Sequence, residues 1–158
     1  MVIHVDLKTQ TLNLKNNDIS IFTTKIASAK KGVGETNGSE QTPRGWHIIR
    51  AKIGAGQPEN RVFKGRRSTS ELFSEALREE HPGRDWILTR IMWLSGLEPG
   101  FNRLGNVDTM RRYIYIHGCP DSDPMGEPSS HGCIKMRNTD VIKLFDLVEV
   151  GTKVLITE

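Results

Sequence analysis

Two copies of the tripeptide His-Gly-Cys, His117-Gly118-Cys119 and His131-Gly132-Cys133, hold both cysteines of this 158-residue chain and two of its five histidines. Three chemistries are open to such a set. Two histidines and two cysteines form an acceptable tetrahedral zinc set, although each pair would chelate through a single intervening residue, tighter than the usual ligand spacing. A Cys119–Cys133 disulfide would close the loop between the copies, but two cysteines do not make a disulfide framework. The third chemistry is a cysteine nucleophile with a histidine base. It needs a base on a rigid element, and a thiol on a turn whose backbone amides can hold an oxyanion.

Ser130-His131-Gly132-Cys133 fits the second requirement, since Gly132 permits a tight approach and the amides of Gly132 and Cys133 can converge on one oxygen. His117 fits the first, as the end of the apolar run Tyr113-Ile114-Tyr115-Ile116. Side chains two apart on a strand share a face, so Tyr113, Tyr115 and His117 project together, with Cys119 following if the strand continues. His131 lies only two residues from Cys133 and reads as a brace for the turn by hydrogen bonding. The segment from Pro120 to His131 is rich in Pro, Asp, Ser and Gly, and loops the second copy back beside the first.

The elements that must position these groups are mainly β. Val2–Val5, Thr11–Leu14 and Ile19–Thr23 alternate as short strands between Lys/Asn/Asp turns. A glycine-rich loop, Gly32 to Gly38, lacks the Lys-Ser/Thr ending and following helix of a phosphate cradle, and reads as a long connection to a strand over Gly45–Ile49. Trp86–Leu94 and Tyr113–His117 read as central strands, and Lys153–Ile156 as the last one. Ser68 and Glu71 have capping-box spacing ahead of Leu72, Phe73, Ala76 and Leu77, predicting a helix that ends at His81-Pro82-Gly83. Asn138 as N-cap before Val141, Leu144, Phe145 and Val148 predicts a second helix.

Composition sets the outer bounds. Apolar residues make up 36% and charged residues 26%, with 15 glycines and 7 prolines, which describes one soluble, turn-rich domain over residues 1–158 with no linker. A net charge of +3, with basic pairs unaccompanied by an aromatic ladder, does not describe a nucleic-acid binder. No apolar run reaches membrane-spanning length, so stable membrane insertion is not expected. The first residues enter a strand pattern without the regions of a signal peptide.

A strand ending in Ile-His-Gly, a loop, then Ser-His-Gly-Cys-Ile-Lys-Met resembles the catalytic domain of the L,D-transpeptidases, the YkuD type, in which a histidine precedes Ser/Thr-His-Gly-Cys by about this spacing. Thr42-Pro43-Arg44-Gly45 and the stretch from Asp140 to Ile156 are also similar to that family, and two-thirds or more of the chain is covered. The resemblance implies a mainly β sandwich or barrel with two short helices. It implies Cys133 as acylated nucleophile, His117 as proton donor and acceptor, and the Gly118 carbonyl as the group orienting His117. The amides of His131, Gly132 and Cys133 would form the oxyanion hole, with Ser130 and His131 shaping the turn and Ser130 also at the substrate.

The implied reaction is acyl transfer on peptidoglycan stem peptides: attack after the third residue, typically diaminopimelate, expulsion of the terminal D-alanine, and capture by an amine of another stem or by water. It needs no metal and no cofactor. Lys135, where arginine or asparagine is common, and Arg137 would face a stem carboxylate. Such a substrate lies in the periplasm or cell wall, in tension with the missing export signal, which places the chain in the cytoplasm if Met1 is its native start. Two alternatives remain: an L,D-carboxypeptidase or amidase-type hydrolase on the same dyad, and a zinc- or redox-responsive module built on His117, Cys119, His131 and Cys133, in which a Cys119–Cys133 bridge would switch the site off.

Overall fold

The computed structural model describes residues 1–158 and contains ten strands and two helices. The strands are β1 (Val2–Asp6), β2 (Thr11–Asn16), β3 (Ile19–Lys25), β4 (Gly45–Ile53), β5 (Arg61–Lys64), β6 (Arg67–Leu72), β7 (Ile87–Gly96), β8 (Tyr115–Gly118), β9 (Ile134–Met136) and β10 (Lys153–Thr157). The helices are α1 (Glu75–Glu80) and α2 (Asn138–Leu147). No helix is long and apolar enough to cross a membrane.

Strand pairing runs β3-β2-β1-β10-β4-β7, with β1–β10 parallel, and from β7 it continues to β8 and then, in parallel, to β9. The two ends of this path meet. Ala27, just past β3, exchanges both backbone hydrogen bonds with Lys135 of β9, each 2.9 Å. This bridge closes the ring just beyond β3, whose own outer edge pairs with no other strand, so the sheet is barrel-like and mixed, with β5 and β6 attached as an outer hairpin on β7. Alternation in β1 and β2 sends Ile3, Val5, Leu12 and Leu14 inward. There they join Ile116, Ile134, Met136 and the α2 face Val141, Leu144 and Phe145 in one cluster of 20 buried side chains.

Three expectations from the sequence shift here. Ser68–Glu71 is not a capping box: it lies in β6, where Thr69 Oγ1 donates to the Val62 carbonyl across the hairpin at 2.8 Å. The helix starts six residues later, and its cap is Ser74, whose hydroxyl accepts from the Leu77 amide at 3.1 Å. Asn138 is not an N-cap: it is the first helical residue, fully buried, and its amide is spent on other segments. Tyr113 is outside β8, in a turn at φ 55°, half exposed.

The long β4–β7 ladder is tied to the 102–113 loop by His47, which is fully buried. Its Nδ1–H donates to the Gly45 carbonyl at 3.0 Å, leaving Nε2 to accept from the Thr109 hydroxyl at 3.0 Å. Burial lowers its pKa from 6.5 to about 4. An unfolded chain binds this proton near pH 6.5 and the folded chain only near pH 4, so the stabilisation is complete above 6.5 and is lost as pH falls to about 4. The span amounts to about 3 kcal/mol. Urea midpoints measured from pH 7 to 4 should therefore fall, and fall less in His47→Gln. Equal slopes in the two proteins would show that His47 does not set the acid limit.

Candidate active site

The site forms where β8 and β9 run side by side. Ile116 pairs with Ile134 and His117 with Lys135, so Cys133, immediately before β9, is level with Tyr115. The Tyr115 amide donates to Cys133 Sγ at 3.3 Å, and the thiol donates to the Tyr113 carbonyl at 3.4 Å. Ile116 turns into the core, whereas Tyr115 and His117 share the opposite face. That face opens into a cavity of about 310 Å³ lined by His117 and Cys133 together with Arg66, Asp85, Arg112 and Tyr115.

His117 is almost completely buried, and its Nδ1–H donates to the Gly118 carbonyl at 2.6 Å. That bond selects the tautomer whose Nε2 lone pair is available to accept a proton. Burial lowers the His117 pKa; Asp85 and the bond to Gly118 oppose this, and Lys135 adds to it. Burial likewise pushes the Cys133 thiol up to about 12, with the Tyr115 amide and Arg112 pulling the other way and Asp85 reinforcing the rise. Burial thus favours the neutral form of each group.

The turn that presents Cys133 is braced by two side chains. Ser130 Oγ donates to the Cys133 carbonyl at 2.5 Å and accepts from the Gly132 amide at 3.2 Å. Thr42, fully buried, donates to the Gly132 carbonyl at 2.9 Å and accepts from the Ala29 amide at 2.9 Å. Gly132 sits at φ 135°, a region that side chains rarely enter. Of the three amides expected in an oxyanion hole, that of Gly132 is therefore engaged by Ser130, whereas those of His131 and Cys133 donate to no protein group. His131 itself is exposed and makes no hydrogen bond that would brace the turn; its nearest charge is Asp85 at 3.8 Å.

The doubled tripeptide is not a symmetric unit. Cys119 is fully buried, its thiol donates to the Met136 carbonyl at 3.4 Å, and burial pushes its pKa up to about 12. From Tyr115 to Gly118 alone the strand advances roughly 10 Å, beyond the Cα separation a disulfide tolerates. Cys119 and Cys133 thus cannot bridge without rearranging β8 and β9, which removes the redox switch. The zinc reading fails on the same separation: no three His, Cys, Asp or Glu side chains are grouped so as to hold a metal ion.

Lys135 and Arg137 have partners other than an incoming carboxylate. Lys135 is buried and pairs with Asp123 at 3.1 Å, which also takes Arg78 at 2.7 Å. Arg137 donates to the carbonyls of Asp121 and Asp123 and so anchors the 120–129 loop. Beside that pair lies a second cavity, also about 310 Å³, which shares Asp85, Ser130 and His131 with the first and adds Arg78, Arg84 and Lys135.

Several groups around the thiol carry no motif that would single them out. Arg112 is half-buried and donates to Gly34 O at 3.2 Å, Ser39 Oγ at 3.2 Å and Gln41 O at 2.5 Å, clamping the glycine-rich connection against the site. Arg66 and Asp85 reach the cavity from distant segments, and only pairing of β5 and β8 with β7 brings them there.

The fold has known counterparts. An L,D-transpeptidase of Enterococcus faecium (C442S mutant) superposes over 99% of this chain and 49% of its own, with TM-score 0.59 and 20% identity. L,D-transpeptidase 3 of Mycobacterium tuberculosis, solved with a faropenem-derived adduct, does so over 99% and 60%, with TM-score 0.61 and 15% identity. LdtMt1, solved with imipenem, matches over 99% and 58%, at TM-score 0.58 and 17% identity. In sequence, YqjB of Bacillus subtilis, provisionally named an L,D-transpeptidase, is 42% identical over 59 residues, which are 37% of this chain and 32% of that protein. The matched part is thus about a third of the curated relative, and this chain spans about half to three-fifths of the structural ones. The family model for the L,D-transpeptidase catalytic domain, YkuD, matches residues 1–156, nearly the whole chain. On that match, and with the mixed β fold agreeing, the chain belongs to the YkuD family of L,D-transpeptidase catalytic domains.

Proposed function

We propose that this domain transfers acyl groups between peptidoglycan stem peptides through a thioester on Cys133. The observation that carries the reading is the 2.6 Å bond from His117 Nδ1 to the Gly118 carbonyl, within the cavity that Cys133 also lines. It aims the free Nε2 at the same space as the thiol.

As Cys133 Sγ attacks the scissile carbonyl, its proton passes to His117 Nε2 and the S–C bond forms. The oxygen takes up negative charge beside the amides of Cys133 and His131, the two that are free to donate. Collapse breaks the C–N bond, and the imidazolium returns its proton to the leaving amine. A second amine then attacks the thioester, the C–S bond breaks and the thiol is restored. Starting from a neutral pair suits this cycle. A resting thiolate–imidazolium pair would cost desolvation at both groups, so charge appears only when an oxyanion site and Arg112 can meet it.

The second cavity beyond His131 offers an acyl acceptor a place to lie, which supports transfer over hydrolysis. A stem tetrapeptide should lose its terminal residue, and an added amine should be captured in preference to water. Imipenem, bound in the LdtMt1 structure, is expected to add its mass to this chain at Cys133. Cys133→Ala should take none, whereas Cys119→Ser should take the wild-type amount. An adduct at Cys119, or its loss in Cys119→Ser, would assign the chemistry to the other thiol.

A further inference from the structure

We propose that Arg66 is a specificity-determining residue that grips the free carboxylate of the residue expelled from the acyl donor. The proposal rests on acylation of Cys133 and adds the contact that selects the donor.

Arg66 sits at the tip of the β5–β6 hairpin, in a two-residue turn with Gly65. Both have positive φ, 55° at Gly65 and 63° at Arg66, the geometry of a type I′ turn. Glycine, asparagine and aspartate are the residues that enter this conformation readily, so an arginine here is held against its backbone preference. Such strain persists where the surroundings fix a residue in place, and here they do. The guanidinium lies 4.5 Å over the Tyr113 ring and 5.1 Å over the Trp93 ring, and Nη1 donates to the Tyr115 hydroxyl at 3.1 Å. It pairs with no carboxylate of the protein, and its Nε and Nη2 make no hydrogen bond. It lines the cavity that holds Cys133 and His117.

The chemistry of the occupant follows from what surrounds this fork. The other arginine of the cavity, Arg112, is already spent on three acceptors, and Asp85 is the one carboxylate in the lining. One free planar guanidinium suits one planar monoanion, a carboxylate, better than a multiply charged phosphate. Tyr115 links this fork to the nucleophile, since its amide donates to Cys133 Sγ and its hydroxyl accepts from Arg66. With the scissile carbonyl at the sulfur, the next carboxylate lies one residue on, about 3.8 Å along the chain.

The test is the rate at which Cys133 is acylated by matched stem peptides: one with a free C-terminal acid, one with a C-terminal carboxamide, and one amidated instead at its side-chain carboxylate. Intact mass reports the thioester, and iodoacetamide alkylation confirms that Cys133 is reachable in each variant. Wild type should prefer the C-terminal acid over the carboxamide by about ten- to a hundredfold. The ratio should fall to near one in Arg66→Gln and partly recover in Arg66→Lys. Arg66→Gly, which relaxes the turn and keeps its φ accessible, should lose the preference like Arg66→Gln. A wild-type ratio near one, a preference that survives Arg66→Gln, or discrimination only against the side-chain amide each overturns the proposal while leaving Cys133 acylation standing. Failure of every donor to acylate Cys133 overturns the acyl-transfer reading, and the Arg66 assignment with it.

Discussion

His117→Gln is expected to slow acylation of Cys133 by about two to four orders of magnitude at pH 7, and to change how the rate depends on pH. On the proposed mechanism Nε2 accepts the thiol proton during attack, so the reaction does not wait for spontaneous ionisation. Glutamine offers no base at that position. The thiolate must then come from ionisation of a buried thiol whose pKa is about 12. Between pH 7 and 10 the residual rate should climb about tenfold per unit, while wild type rises only through the range where His117 gives up its own proton. Burial lowers that range, so the wild-type profile should already be level by neutral pH. Stopped reactions read by intact mass give both profiles. A His117→Gln rate equal to wild type, or the steep profile appearing in His131→Gln instead, would move the base to the second tripeptide.

The asymmetry behind that prediction has a packing origin. His117 and Cys133 face the cavity because β8 and β9 are parallel and in a register that sets Cys133 beside Tyr115. The chain leaves β8 at Gly118, and Cys119 turns under Met136 rather than toward the thiol it resembles. The two cysteines therefore end up in different surroundings, Cys133 lining the cavity beside His117 and Cys119 buried against Met136. Lys135, His117's partner in register, is likewise drawn to Asp123. Its charge then opposes protonation of the imidazole and helps keep the resting dyad neutral.

The meeting of His117 and Cys133 in one cavity was legible from residue types and spacing, because the loop between the tripeptides is long enough to return and too polar to be core. The alternating runs of β1 and β2 and the apolar stripe of α2 were legible for the usual reason that burial on one face leaves a period. What failed to show depended on partners distant in sequence. Ala27 and Lys135 close the barrel through backbone groups alone, which leave no side-chain signature. The β5–β6 hairpin is polar on most of its surface, and Ser68 and Glu71 mimicked a helix cap within it. It is the pairing of β6 with β5 that excludes that cap. Thr42 was visible as part of a Thr-Pro-x-Gly segment, but its task, holding the Gly132 carbonyl across 90 residues, was not.

Gly118→Ala should be among the most damaging single changes outside the dyad, lowering stability by about 3 kcal/mol or more. The obstacle is space. A Cβ at this position would lie 2.4 Å from Asn138 Oδ1, 2.6 Å from the Leu88 carbonyl and 3.2 Å from Thr89 Cβ. None of these can retreat freely. Thr89 is a buried β-branched residue at φ 74°, held at an irregularity in the β7–β8 pairing. Its hydroxyl donates to Asn138 Oδ1 at 2.6 Å and accepts from the Asn60 amide at 3.0 Å. Asn138 in turn donates to the Cys119 carbonyl at 2.9 Å, so moving it leaves buried polar groups unpaired. Any shift of residue 118 also drags the carbonyl that orients His117. Urea midpoints should show the stability loss, and the fraction that still folds should acylate Cys133 slowly. Asn138→Ala in the same chain should not restore stability, because the Leu88 carbonyl remains in the way. A Gly118→Ala protein with the wild-type midpoint and acylation rate would show that the glycine between His117 and Cys119 is not set by packing.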